Sequence, residues 1–220
     1  MDVVQDSLLK AAAFTVMVVL LGILIGLQMD DLRQDYLTDE LDQSNLEVET
    51  FSILDTYIAG SEGDHCQLMD VQIPNIGERN TQLGSELERF ESQNLGSDQE
   101  YRYIRDRYYN NQLRLYMAIN NYRDRCGNTN QTTILYFFDD SSESSRMGSV
   151  LDEVVEQTNT QVFSFNTEVD SPIVDVLRRD HNVTRQPTII VDDNQKIEGF
   201  ISVGELRYDV IESNNSTQNN

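Results

Sequence analysis

"VTRQPTIIVDDNQKIEGFISVGEL", Val183 to Leu206, decides the fold. Pro187 opens a run of strand formers, which proline tolerates at a strand start because the first residue need not donate to the ladder. Asp192, Asp193 and Asn194 then mark a tight turn. "QKIEGFIS" reads as a second strand about that turn, and "VGELRYDVIE" reads as a closing helix. The turn acids lack the spacing of an EF-hand loop, so they read as a solvated hairpin turn rather than a calcium site.

Upstream, "TTILYFFDDSSESSRMGSVLDEVVEQ", Thr132 to Gln157, reads as a buried strand, a polar turn and an amphipathic helix from Asp140. "TQVFSFN" is a further strand and "SPIVDVLRRDHNV" a short helix. The order βαβ then αββα implies one sheet with parallel and antiparallel strands, covered by helices. Asp140 and Glu143 have capping-box spacing, with serines between and after them to meet the first free N–H groups. His181 is the one histidine after residue 127, and nothing in the spacing brings it to the serines, so a serine nucleophile has no base.

This order resembles the thioredoxin fold, over about Thr132 to Glu212. The resemblance implies a cis peptide bond before Pro187 and a peptide-binding groove lined by Arg185, Gln186, Pro187 and Thr188. It also places the family's Cys-x-x-Cys at Ser141, Ser142, Glu143 and Ser144, so Ser141 and Ser144 occupy both cysteine positions. A hydroxyl neither forms the low-pKa thiolate nor resolves a mixed disulfide, so no dithiol catalysis is expected there.

The region before Thr132 has a helical texture. Leu37, Leu41, Val48, Phe51 and Ile58 form one row; Ile76, Leu83, Leu87 and Phe90 a second; Tyr101, Ile104, Tyr108, Leu115, Ala118 and Tyr122 a third, broken by Asn111. Pro74 is expected to begin or kink the second helix. "NLGSD" joins the last two rows as an antiparallel hairpin. Cys66 and Cys126, the two cysteines of the chain, are equidistant from Gly96 in that turn and so face each other across it. A disulfide would lock the open end; two reduced, buried thiols are the alternative. Two cysteines with His65 do not complete a zinc site, and no metal or cofactor is expected.

Residues 11–29, "AAAFTVMVVLLGILIGLQM", carry no charge and would span roughly 28 Å as a helix, the thickness of a bilayer core. The run is longer than a signal-peptide core and reads as a single-pass signal anchor in the cell membrane, with the carboxy-terminal part extracellular. The expected fold class is therefore α/β: a transmembrane helix over 1–29, a coiled-coil-like helical stalk over 30–127, a thioredoxin-like domain over 128–212 and a disordered tail over 213–220. This layout resembles membrane-anchored thioredoxin-like proteins of archaea.

The net charge of −22, with two lysines, Lys10 and Lys196, in 16 basic residues, argues against a nucleic-acid partner and suits a surface kept soluble in high salt. Asn130, Asn182, Asn214 and Asn215 each begin an N-x-Ser/Thr sequon and are glycosylation candidates outside the cell. Three functions compete. One is a non-catalytic protein- or peptide-binding or assembly module at the outer membrane face. Another is a thiol–disulfide oxidoreductase working through Cys66 and Cys126. The last is a scaffold that forms a homo-oligomer through the stalk, with Asn111 setting register.

Overall fold

The computed structural model describes residues 65–93, 98–127 and 131–208, with the single position Val19. The chain divides into two compact units, 1–63 and 64–220. All the elements named here belong to the second.

Two long helices come first, α1 (Cys66–Gln93) and α2 (Asp98–Cys126), followed by β1 (Thr132–Phe138), α3 (Ser142–Gln157) and β2 (Thr160–Asn166). Then come α4 (Pro172–Asp180), β3 (Thr188–Val191), β4 (Gln195–Glu198) and the described part of a last helix, α5, over 203–208. The sheet order is β2-β1-β3-β4. β1 runs parallel to β2 and antiparallel to β3, and β3 is antiparallel to β4.

β1 reads as an unbroken apolar run because it is central and covered on both faces. Its alternate residues sort the core. Ile134 and Tyr136, with Ile189 and Val191, meet Met147, Val150, Leu151 and Val154 of α3 and Leu206 of α5. Leu135 and Phe137 turn the other way, together with Phe163 and Phe165 of β2. On that side the Tyr109 ring lies 5.5 Å from Phe165, and the Tyr116 ring lies 5.5 Å from Phe163.

Tyr109 and Tyr116 belong to α2, so the helical hairpin is a layer of the α/β unit and not a projecting stalk. The contact is polar as well as aromatic. Gln112 accepts from Ser164 N at 2.8 Å and donates to Ser164 O at 3.2 Å, and Tyr109 Oη accepts from Asn166 N at 3.2 Å. β2 is an edge strand, and these side chains occupy hydrogen-bonding groups that an open edge would offer to another chain. The hairpin itself is closed by the Cys66–Cys126 disulfide, with Cα atoms 5.6 Å apart. Asn111 is buried within it and donates to Ile76 O and Asn80 Oδ1, at 3.1 and 3.3 Å.

Two expectations are corrected. Pro74 lies inside α1 rather than at its start. It is exposed, as is Asp70, whose carbonyl loses its helical donor, so water can serve that carbonyl. The fold class also changes. The expected transmembrane helix, within 1–29, lies outside the described residues except for Val19, and among the described residues no helix is long and apolar enough to cross a membrane. What is described is a mixed sheet between α3 and α5 on one face and the helical hairpin on the other. The row Leu37 to Ile58 and the tail 213–220 also lie outside the described residues.

Candidate functional site

The carboxyl end of β1 meets the amino end of α3 at the serine turn. The N-cap is Ser141, one residue after the expected Asp140, and its side chain accepts from Ser144 N at 3.2 Å. Ser144 is buried. Its Oγ donates to Asp139 Oδ1 at 2.6 Å and accepts from Asp139 N at 3.2 Å. Ser141 N also donates to Asp139 Oδ1, at 3.2 Å. Hydrogen bonds from Ser141 and then Ser144 hold the Asp139 carboxyl below its ordinary pKa. Tyr136 Oη donates to Ser144 O at 2.6 Å, and burial raises its pKa to about 12. The turn is thus a closed hydrogen-bond network, in which the hydroxyls of Ser141 and Ser144 are both engaged.

Glu143 does not complete a capping box. Its Oε1 accepts from Phe200 N at 3.1 Å, which ties the serine turn to the chain after β4. Gly199, one residue earlier, donates its N–H to Pro187 O at 2.7 Å. Gly199 has φ +85°, a region that favours glycine, and a Cβ there would stand 3.4 Å from Arg185 Nη2 and 3.6 Å from Glu143 Oε1. Gly199 and Phe200 therefore join the serine turn to the Pro187 loop.

The Gln186–Pro187 bond is cis. Of the four expected groove residues, Arg185 is exposed and Gln186 half-buried, while Pro187 and Thr188 are buried. Thr188 Oγ1 donates to Arg185 O at 2.7 Å, which fixes the loop from inside. Only Arg185 and Gln186 present side chains to solvent here.

His181 is remote from the serines. Its ring lies 6.4 Å from that of Phe137, on the sheet face away from α3, and Nδ1 is 3.5 Å from Asp193 Oδ1. The cysteines are also distant. Arg123, three residues before Cys126, contacts Gln131 O and Asp192 Oδ1, each at 3.0 Å, where β1 begins and β3 ends. The serine turn is at the other end of β1, seven residues away, or roughly 20 Å. Of the sequon asparagines, Asn182 is exposed with φ +50°, and Asn130, Asn214 and Asn215 lie outside the described residues.

One surface had no counterpart in the sequence reading. Phe200, Ile201, Gly204, Glu205 and Tyr208 line an open cleft of about 540 Å³. Arg146 of α3 places its guanidinium 4.1 Å from the Phe200 ring centroid. The available signal was an aromatic after a glycine and another eight residues on, but it reads equally as a core pattern.

No protein-family model matches the chain, and no curated protein gives a significant match. Among solved structures, the chain is similar to thioredoxin-2, described as a component of malaria parasite protein secretion machinery, at 17% identity and a TM-score of 0.33. The match covers 37% of this chain and 82% of that one. The strand order and the strand directions define the fold in their own right as thioredoxin-like.

Proposed function

We propose that this unit is a non-catalytic, thioredoxin-like binding module for an extended polypeptide, working in an oxidising compartment. By the family resemblance, Ser141 and Ser144 stand where a dithiol would stand. The observation that carries the proposal is the engagement of both hydroxyls within the turn: Ser141 Oγ caps the helix, and Ser144 Oγ is at once donor and acceptor to Asp139. A cap is a structural use of the turn, and it needs no thiol. The Cys66–Cys126 bond supports an oxidising setting. Extended peptides bind such surfaces through backbone pairing, with neighbouring side chains giving selectivity. Arg185 and Gln186 are the solvent-facing side chains beside Pro187.

The test is insulin disulfide reduction with dithiothreitol as electron donor. The full chain should give the uncatalysed rate. A rate matching that of an active thioredoxin, abolished by Cys66→Ala, would instead establish an oxidoreductase working through the hairpin cysteines.

A further inference from the structure

We propose that the cleft between Phe200 and Tyr208 is a docking subsite for an arginine side chain of a partner polypeptide, with Glu205 as its counter-charge. This subsite rests on the binding role proposed above and gives the partner a chemistry. Phe200 and Tyr208 are 40% and 67% exposed, so large aromatic surface meets water here. Between them the floor is bare: a Cβ on Gly204 would have no atom within 4 Å.

The carboxylate is held in place. Ser202 donates to Glu205 Oε2 from its N–H at 3.2 Å and from its Oγ at 2.5 Å, and Ser202 Oγ accepts from Glu205 N at 3.4 Å. This reciprocal cap at the start of α5 fixes the side chain. The hydrogen bonds from Ser202 hold its pKa below the ordinary range, so it stays anionic in weak acid. Among the described residues, Oε1 has no hydrogen-bond partner and Glu205 has no basic partner. The nearby Arg207 is engaged elsewhere, with Nη1 2.9 Å from Gln157 Oε1.

Aromatic walls beside a fixed carboxylate suit one side chain best. A guanidinium stacks flat on aromatic rings and presents donors in its own plane to a carboxylate. A lysine ammonium is a compact, strongly hydrated charge that gains less from stacking. An apolar side chain would cover the rings but leave Glu205 partly desolvated and unpaired. The molecule already uses the same pairing once, since Arg146 covers Phe200. Glu143, bonded to Phe200 N, places a carboxylate at that edge too. The net charge of −22 steers basic partners toward the surface.

The test uses the full chain, labelled with ¹⁵N, and four synthetic peptides of sequence Ser-Gly-Ala-X-Ala-Gly-Ser, with X as arginine, lysine, leucine or glutamate. The arginine peptide should shift the amide signals of 200–208 and bind on the order of ten-fold more tightly than the leucine peptide. Glu205→Gln, which keeps a cap, should weaken it about three- to five-fold. Gly204→Phe, whose Cβ meets no atom within 4 Å and whose ring would occupy the cleft, should abolish it while the remaining spectrum stays in place. Equal binding of the arginine and leucine peptides, or an undiminished response in Gly204→Phe, overturns the subsite. If peptides shift only Arg185 and Gln186, regardless of X, the binding role stands and the arginine subsite falls. If no peptide shifts either region, both fall.

Discussion

Ser144 Oγ and Asp139 form a closed pair: the hydroxyl donates to Asp139 Oδ1 at 2.6 Å and accepts from the Asp139 backbone N–H at 3.2 Å. A turn that could present reactive groups instead turns them inward. Ser144 is 2% exposed, so its replacement acts on the fold before it acts on any ligand.

Ser144→Ala should lower the unfolding free energy by about 1–2 kcal/mol at neutral pH, because a charge-assisted hydrogen bond is lost and the Asp139 N–H loses its acceptor. The loss should depend on pH. The folded-state pKa of Asp139 is depressed, so the associated stabilisation is present above its unfolded pKa, about 3.9. That stabilisation disappears as pH falls through the lower folded value. Urea denaturation at pH 7 and in acid checks this. A deficit of the same size at both would show that the carboxylate charge contributes nothing.

Gln112 reaches from α2 to pair with both backbone groups of Ser164. Gln112→Leu should cost about 1–2 kcal/mol, since it leaves a half-buried edge donor and acceptor unmet. It should also speed amide exchange at Ser164 and promote self-association through the β2 edge. Hydrogen exchange and light scattering report the two effects separately. Unchanged protection at Ser164 would mean that water already serves that edge.

These two sites show what the residues alone reveal. The sheet was legible: apolar strand runs, a proline at the head of β3 and an acidic turn after it lead directly to the hairpin and its neighbours. The cap was legible to within one residue, because Asp140 and Ser141 both suit an N-cap and only the backbone distinguishes them. The place of the hairpin was not legible. Tyr108, Leu115 and Tyr122 share the spacing of a coiled-coil seam, while Tyr109, Gln112 and Tyr116 form an adjoining row at the same period and face the sheet. A buried glutamine on a helix gives no sign that its partner is a strand backbone 52 residues away. The cleft was hidden for a related reason. Phe200 and Tyr208 look like core residues, and only their exposure distinguishes them.

The Cys66–Cys126 bond closes a separation of 60 residues. Chain-entropy reasoning gives about 4 kcal/mol for a loop of that size, and measured values commonly run about 2–4 kcal/mol. Cys66→Ala with Cys126→Ala should lower stability by that amount. Because the bond lies at the end of the sheet remote from the serine turn, peptide affinity at Arg185 and Gln186 should change less than two-fold, within about 0.4 kcal/mol. Thermal denaturation and peptide titration of the same variant decide the matter. A large loss of affinity with little loss of stability would tie the cysteines to the site.

Gly199→Ala tests the junction between the Pro187 loop and the serine turn. At φ +85° an alanine is strained, at a cost of about 1–2 kcal/mol. The new Cβ would stand in van der Waals contact with Arg185 Nη2, 3.4 Å away, and Glu143 Oε1, 3.6 Å away, so the strain is in the backbone. The Gly199–Pro187 and Phe200–Glu143 hydrogen bonds should lengthen together, because they belong to consecutive residues. Amide exchange at 199 and 200 should therefore rise in parallel, while exchange in β1 stays as before. Faster exchange at 199 alone would show that the two loops move independently, and that the chain after β4 does not couple the serine turn to the Pro187 loop.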